Sequence, residues 1–343
     1  MSSWGRLGSR RVAVDLGTAN TVVYEQGEGV VTFEPSVVAV DERTGHVYAV
    51  GEDARRMIGR TPSYIRATRP LRHGVIADFE MTEQMLRYFI GRAVRGMRRR
   101  TEVMVCVPSG VTQVERSAVE EATLAAGASR AYLIDEPMSA AIGAGLPVAE
   151  STGSFVVDVG GGTTELAVTA LGGMVVSHSV RIGGYDLDDA IVKLLQTTQR
   201  LLVGQEQAEA VKIAIGNAVA GTADVADVAG RDLTTGLLRR SAVDAAAVHA
   251  ALEQPLARIV EAVDHVLERT PPELSSDIAD RGVMLVGGGA LLARIDELLR
   301  RHTGLAVTIA DDPLTAVARG AGAALEELHH LTPARPRRRR RRR

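Results

Sequence analysis

The sequence predicts an α/β protein made of two similar halves. Two observations predict it. Short apolar runs alternate with stretches whose apolar residues recur at helical spacing, which puts helices on the faces of a sheet. One local pattern also occurs twice. At 155–168 an apolar strand ends in Asp158, a turn of Gly160, Gly161, Gly162 and Thr163 follows, and an apolar strand resumes. At 11–24 the same register returns: Asp15, then Gly17, Thr18, Ala19 and Asn20, then another strand. The two aspartates are 143 residues apart. A repeat at that distance reads as a duplicated unit with a ligand held between the copies.

The residue types in these turns suit a nucleotide. Glycines let backbone N–H groups approach a ligand closely. Successive turn N–H groups and threonine hydroxyls form a concave anion site. A carboxylate at the strand end suits a hydrated Mg²⁺ better than a phosphate. For one turn alone, a glycine-rich hairpin with no ligand is the competing reading.

The remaining elements follow in order. Residues 30–40 and 46–50 read as strands, with Pro35 at a strand start or edge. A short helix is expected from Glu52 to Gly59, and Thr61–Gly74 as irregular and basic. Apolar spacing predicts a helix over Thr82–Met97, and Arg95–Arg100 as a basic loop. Glu102–Val107 reads as a buried strand carrying Cys106, a core thiol. Thr112 and Glu115 form a capping-box signature opening a helix to Gly127. After strand Ala131–Ile134, Asp135-Glu136-Pro137 leads into the small-residue helix Met138–Gly145. Glu136 thus falls at a strand's C-terminal end and a helix's N-terminus, where ligand chemistry gathers. It is suited to orient a water for attack on a γ-phosphate; a plain helix N-cap is the other reading.

The second half opens with its hairpin and strand Met174–Ser179. Gly183-Gly184 precede a helix over Leu187–Val203. Helix Gln205–Ile215 carries Glu209 and Lys212, three apart on one face, which a surface ion pair also explains. Residues 217–250 read as a small peripheral subdomain and Glu253–Glu268 as a helix. Strand 283–286 leads into Gly287, Gly288, Gly289 and Ala290, where glycines could lie flat against a planar base. Helix Leu292–His302, strand Ala306–Ile309 and helix Leu314–Leu328 follow.

Composition narrows the class. The chain has 343 residues and 45% apolar content, enough for two sizeable cores. No apolar run spans a membrane, residues 1–11 lack a signal peptide's apolar region, and the single cysteine excludes an intrachain disulfide. These features suggest a cytoplasmic protein. The formal charge of −2 conceals eight arginines at 335–343, without which residues 1–333 carry −10. Such a tail either meets an anionic surface or serves as a disordered solubilising end. With 3% aromatics, stacking on nucleic acid is not expected. Only two of 40 basic residues are lysines, at 193 and 212.

Five motifs stand in order: 12–24, 132–145, 155–168, 283–292 and 314–324. Together they resemble the actin, sugar-kinase and DnaK-type ATPase superfamily. Glu34-Pro-Ser-Val-Val-Ala, Gly74-Val-Ile-Ala-Asp-Phe-Glu, Val107-Pro-Ser-Gly-Val-Thr and Glu136-Pro-Met-Ser-Ala-Ala resemble the MreB/Mbl bacterial actins more closely, from about Val12 to Leu325. The resemblance implies an actin-like fold: two duplicated RNase H-like domains, 12–145 and 146–330, with peripheral subdomains near 32–76 and 217–250. Residues 1–11 would be a flexible N-terminus and 331–343 a disordered tail. It also implies an ATPase that polymerises beneath the cytoplasmic membrane and organises cell-wall synthesis and cell shape with membrane partners, in rod elongation or a sporulation wall.

By position, the resemblance gives Asp15 and Asp158 to hydrated Mg²⁺. Gly17–Asn20 and Gly160–Thr163 would bind phosphates, Glu136 with Thr163 would position the attacking water, Glu209 and Lys212 would contact the adenosine, and Gly287–Ala290 would line its base. A chaperone needs a substrate module after the ATPase region, and a small-molecule kinase needs a sugar pocket; neither is evident. A nucleotide-binding scaffold with little hydrolysis is the third class. The sequence departs from the family at Tyr185-Asp186-Leu187-Asp188, where Asp-Glu-Met-Asp is usual. It also departs at the loop 95–100, which is basic where the family often exposes apolar residues. Trp4 and Leu7 are the only apolar anchors near the N-terminus. Electrostatic attachment through Arg95–Arg100 and the arginine tail is the expected membrane contact.

Overall fold

A computed structural model describes residues 10–94 and 100–331. The first half contains β1 (Arg10–Leu16), β2 (Asn20–Glu25), β3 (Gly29–Pro35), β4 (Val38–Asp41), β5 (Val47–Val50) and α1 (Glu52–Arg55). Next come β6 (Ile65–Thr68), β7 (Leu71–Arg72), β8 (Val75–Ile76), α2 (Phe79–Ala93), β9 (Thr101–Val107), α3 (Gln113–Ala125), β10 (Arg130–Asp135) and α4 (Glu136–Gly143). The second half begins with β11 (Ser154–Val159), β12 (Thr164–Ala170), β13 (Gly173–Val180), α5 (Gly184–Gln199), β14 (Leu201–Leu202) and α6 (Gln205–Ile215). It ends with β15 (Val225–Asp232), β16 (Leu238–Asp244), α7 (Ala245–Arg269), α8 (Pro272–Arg281), β17 (Val283–Val286), α9 (Ile295–Thr303), β18 (Val307–Ile309) and α10 (Ala316–Leu331).

Each half is built on a five-stranded sheet. One runs β3-β2-β1-β9-β10 and the other β13-β12-β11-β17-β18. In both, an antiparallel meander continues into two parallel strands. The repeated turns therefore occupy equivalent places, between β1 and β2 and between β11 and β12. β9 and β11 are buried at every position, as continuous apolar runs covered on both faces should be.

The halves meet on a core of small residues: Ala13, Cys106, Ala140, Ala141, Val156, Ala167, Ala316 and Ala321. α4 and α10 cross there at very short range. A Cβ on Gly143 would lie 1.8 Å from the Ala316 carbonyl oxygen, and one on Gly320 would lie 1.8 Å from that of Ser139. Only glycine permits this crossing. Cys106 is a buried core thiol, 2% exposed.

Several elements differ from expectation. Arg10 and Arg11 belong to β1, so the first strand opens two residues before the expected start. Residues 61–74 are not irregular throughout: Ile65–Thr68 (β6) pairs with β4 in a small three-stranded sheet, and Leu71–Arg72 (β7) pairs with β8. Polar alternation in Ile65-Arg66-Ala67-Thr68 hides a strand with one face in solvent. α2 starts at Phe79, capped by Asp78, which accepts from the Met81 N–H at 3.1 Å. α5 starts at Gly184 and ends at Gln199, with Arg200 at a φ of 54°. α7 starts at Ala245, capped by Asp244, and carries Pro255 in its interior, so the peripheral strands end at 244. The sheet there also takes β14, from between α5 and α6. α8 follows Pro271 and was not expected at all. Loop residues 95–99, Trp4, Leu7 and the arginine tail lie outside the described residues.

Candidate nucleotide site

A cavity of about 410 Å³ lies between the halves, within the range of small-molecule sites. It is lined by Asp15, Gly17, Thr18, Ala19, Asn20, Glu136, Asp158, Gly160, Gly161, Gly162, Thr163, Glu209, Lys212, Gly287, Gly288 and Gly289. Of the residues singled out in the sequence, Ala290 alone stands behind the wall. It is fully buried in the second-half core, in a short 3-10 turn after β17.

The two hairpin turns abut across the cavity. A Cβ on Gly161 would fall 2.5 Å from that of Ala19, and one on Gly162 would fall 3.0 Å from Thr18 Oγ1. Ser36 fixes the first turn, donating from Oγ to the Gly17 carbonyl at 2.6 Å. The second closes on itself, with the Gly160 N–H donating to Thr163 O at 2.9 Å. Gly184 and Tyr185 donate their N–H groups to Gly160 O at 3.0 Å and Gly161 O at 2.9 Å. A Cβ on Gly183 would strike this turn at 2.6 Å. The backbone N–H groups of Thr18, Ala19, Gly161 and Gly162 reach no backbone acceptor among the described residues. An anion bound between the turns would supply one.

The surroundings of the carboxylates disfavour their charged forms. Burial pushes Asp15 up to about 7. Burial, and then the charges of Asp15 and Glu165, push Asp158 up to about 8. Glu136, 7% exposed, is raised well above the usual range by burial and by the negative charges of Glu165, Asp15 and Asp158. The nearest lysine is already committed: Lys212 Nζ pairs with Asp188 at 2.8 Å and donates to Gly184 O at 3.1 Å. No group of three or more His, Cys, Asp or Glu poised to chelate a metal directly occurs among the described residues. Asp15 and Asp158, both in the cavity wall, are hard oxygen donors of the kind that would hold a Mg²⁺ ion through its water shell. Gly287 makes room for this arrangement. It has a φ of 82°, and a Cβ there would lie 2.2 Å from Asp158 Oδ1.

Glu136 is the first residue of α4, followed by Pro137 in the first turn. The capping position belongs to Asp135, whose side chain makes no cap bond, so Glu136 is not the N-cap. Glu136 and Thr163 both line the cavity. The surface pair also fails, since Lys212 turns inward to Asp188 while Glu209 stays partly exposed, 3.9 Å from Arg55.

Sequence reasoning missed several wall residues: Phe33, Tyr185, Asp188, Ile213, Leu291, Leu314 and Val317. For Asp188 a signal existed, because a scarce lysine requires a partner. The apolar residues carry none, since packing residues look the same in sequence.

A family model described as MreB/Mbl protein matches residues 9–333. The chain belongs to the MreB/Mbl family. Cell shape-determining protein MreB of Escherichia coli (strain K12) is 51% identical over 325 residues, covering 93% of this chain and 94% of that protein. Cell shape-determining protein Mbl of Bacillus subtilis (strain 168) is 44% identical over 325 residues, covering 94% of this chain and 98% of that protein. Among solved structures, MreB5 of Spiroplasma citri bound to ADP superposes with a TM-score of 0.88 at 34% identity, covering 94% of this chain and 99% of the other. A MamK double helical filament, at 24% identity, shares the fold with a TM-score of 0.79. This MreB/Mbl chain thus has the actin-like α/β fold, as its two matching sheets require. Among its described residues no helix is long and apolar enough to cross a membrane.

Proposed function

We propose that this chain is a cytoskeletal ATPase. It binds Mg²⁺–ATP between its halves, assembles with copies of itself into filaments on the cytoplasmic face of the membrane, and organises cell-wall synthesis and cell shape. One observation carries the reading: two glycine turns face each other across a cavity that is also lined by three carboxyl groups, buried Asp158 and Glu136 and part-buried Asp15. Solved relatives support it, since MreB5 of Spiroplasma citri is bound to ADP in one structure and to AMPPNP in another.

Each residue has a role within this reading. The N–H groups of Gly17–Asn20 and Gly160–Thr163 bind the phosphates from either side. Asp15 and Asp158 hold the shell waters of Mg²⁺, which when bound neutralises charge on the phosphates. Glu136, kept basic by its buried surroundings, orients a water toward the γ-phosphate and takes up its proton, and the Thr163 hydroxyl fixes that water's second hydrogen bond. Glu209 and Lys212 contact the adenosine end, and Gly287–Gly289 lie against the base. Closure of the cavity excludes bulk water from the reacting phosphate.

Glu136→Ala tests this directly. Steady-state phosphate release should fall at least about 100-fold, the usual weight of a general base, while affinity for ATP stays within about threefold. Equal turnover by parent and variant would favour a nucleotide-binding scaffold with little hydrolysis.

A further inference from the structure

A row of arginines on the first half reaches across to α5 and α6 of the second. Arg69, just after β6, makes the most contacts. Its Nε donates to the Tyr185 hydroxyl at 2.9 Å, and its Nη1 donates to Gln205 Oε1 at 3.2 Å. Its guanidinium carbon stands 4.7 Å from the centre of the Tyr185 ring. Arg60 pairs with Glu206 at 3.0 Å, and Arg55 approaches Glu209 at 3.9 Å. Gln205, Glu206 and Glu209 occupy the first turns of α6, and the same helix presents Lys212 and Ile213 to the cavity.

These contacts differ in weight. The Arg60 and Glu206 side chains are 65% and 41% exposed, where an ion pair contributes little. Tyr185 lines the cavity, and burial keeps its phenol protonated. Its N–H is also tied to the second glycine turn through Gly161 O. One residue thus joins the phosphate turn, the cavity wall and a cation from the opposite half. The planar guanidinium both donates to the phenol oxygen and stacks on the ring, which a lysine does not reproduce.

We propose that Arg69 and Tyr185 form a clasp across the cavity that sets how slowly a bound nucleoside triphosphate leaves. The inference rests on the nucleotide reading and adds two positioning residues to it. Tyr185 belongs to the second half and Arg69 to the first, so the walls part only when their hydrogen bond and stack break. The clasp acts on release more than on capture, because it forms once the walls have met.

The test is stopped-flow release of a methylanthraniloyl-ATP analogue, chased by excess ATP in magnesium buffer. Arg69→Ala should speed release about tenfold and Tyr185→Phe about threefold, as losing one partly enclosed hydrogen bond and stack implies. The double variant should release no faster than Arg69→Ala alone, since both changes remove one interaction. Arg60→Ala should stay within about twofold of the parent. Tyr185→Phe removes a single oxygen and carries the test should Arg69→Ala not fold. Binding with unchanged release rates, or additive effects in the double variant, would overturn the clasp alone. No binding by the parent would overturn the nucleotide reading, and the clasp with it.

Discussion

Asp15, Asp158 and Glu136 illustrate how burial holds a carboxyl in its protonated form. With Asp15 pushed up to about 7 and Asp158 to about 8, each keeps a proton in the folded protein that the unfolded chain loses near pH 4. The unfolded state therefore binds fewer protons over that interval, and stability of the unliganded protein falls as pH rises from about 4 to about 8. Cation binding requires the ionised forms, so stabilisation by magnesium with nucleotide grows over the upper part of the same interval. Thermal melts at about pH 6 and about pH 8, with and without Mg²⁺–ATP, should show the larger ligand-induced shift at the higher pH. A shift independent of pH would count against the carboxylates as the cation's holders. At the same scale, Gly161→Ala would drive a methyl into Ala19, 2.5 Å away. It should weaken ATP binding at least about tenfold by titration and leave most of the fold intact, because the turn lies at the cavity rather than in the core.

The α4–α10 crossing holds the two sheets together, and its tightness makes a separate prediction. Gly320→Ala places a methyl 1.8 Å from the Ser139 carbonyl oxygen. Overpacking of this kind should cost about 2 kcal/mol or more in denaturant unfolding. An unchanged midpoint would show that the helices separate freely. Elements also differ in how plainly the sequence states them. Both glycine hairpins, the Thr112–Glu115 capping box and α6 were legible, because turn chemistry and capping are local. β6 was not, since a strand paired only within a small peripheral sheet needs few apolar residues. The first turns of α7 were hidden by alanines that have no apolar period and by Pro255, which the helix accommodates. The site shows the same division. Charged residues and glycines announced themselves, whereas Tyr185 and Phe33 become wall residues only when folding brings distant segments together. Ala290 was grouped with its glycines by adjacency, and the 3-10 turn rotates it into the core.

For the whole molecule, matching strand orders in the two halves place one hairpin and one aspartate on each side of a single cavity. Under the proposed function, that symmetry would give ATP two jaws and filament assembly a way to sense it, since a ligand gripped by both halves would fix the shape each copy presents to the next. Attachment beneath the membrane belongs to this scale as well. With basic residues at 95–100 and eight arginines at 335–343, each worth about 1 kcal/mol near an anionic leaflet, the protein should co-sediment with anionic liposomes. That binding should fade in high salt, and equal binding to neutral liposomes would contradict electrostatic attachment. The central claim is that nucleotide between the halves drives self-assembly, and high-speed pelleting with electron microscopy of the pellet tests it most directly. With Mg²⁺–ATP the protein should pellet as filaments, and without nucleotide it should stay largely in the supernatant. A protein that remains monomeric under every nucleotide and lipid condition would contradict the account.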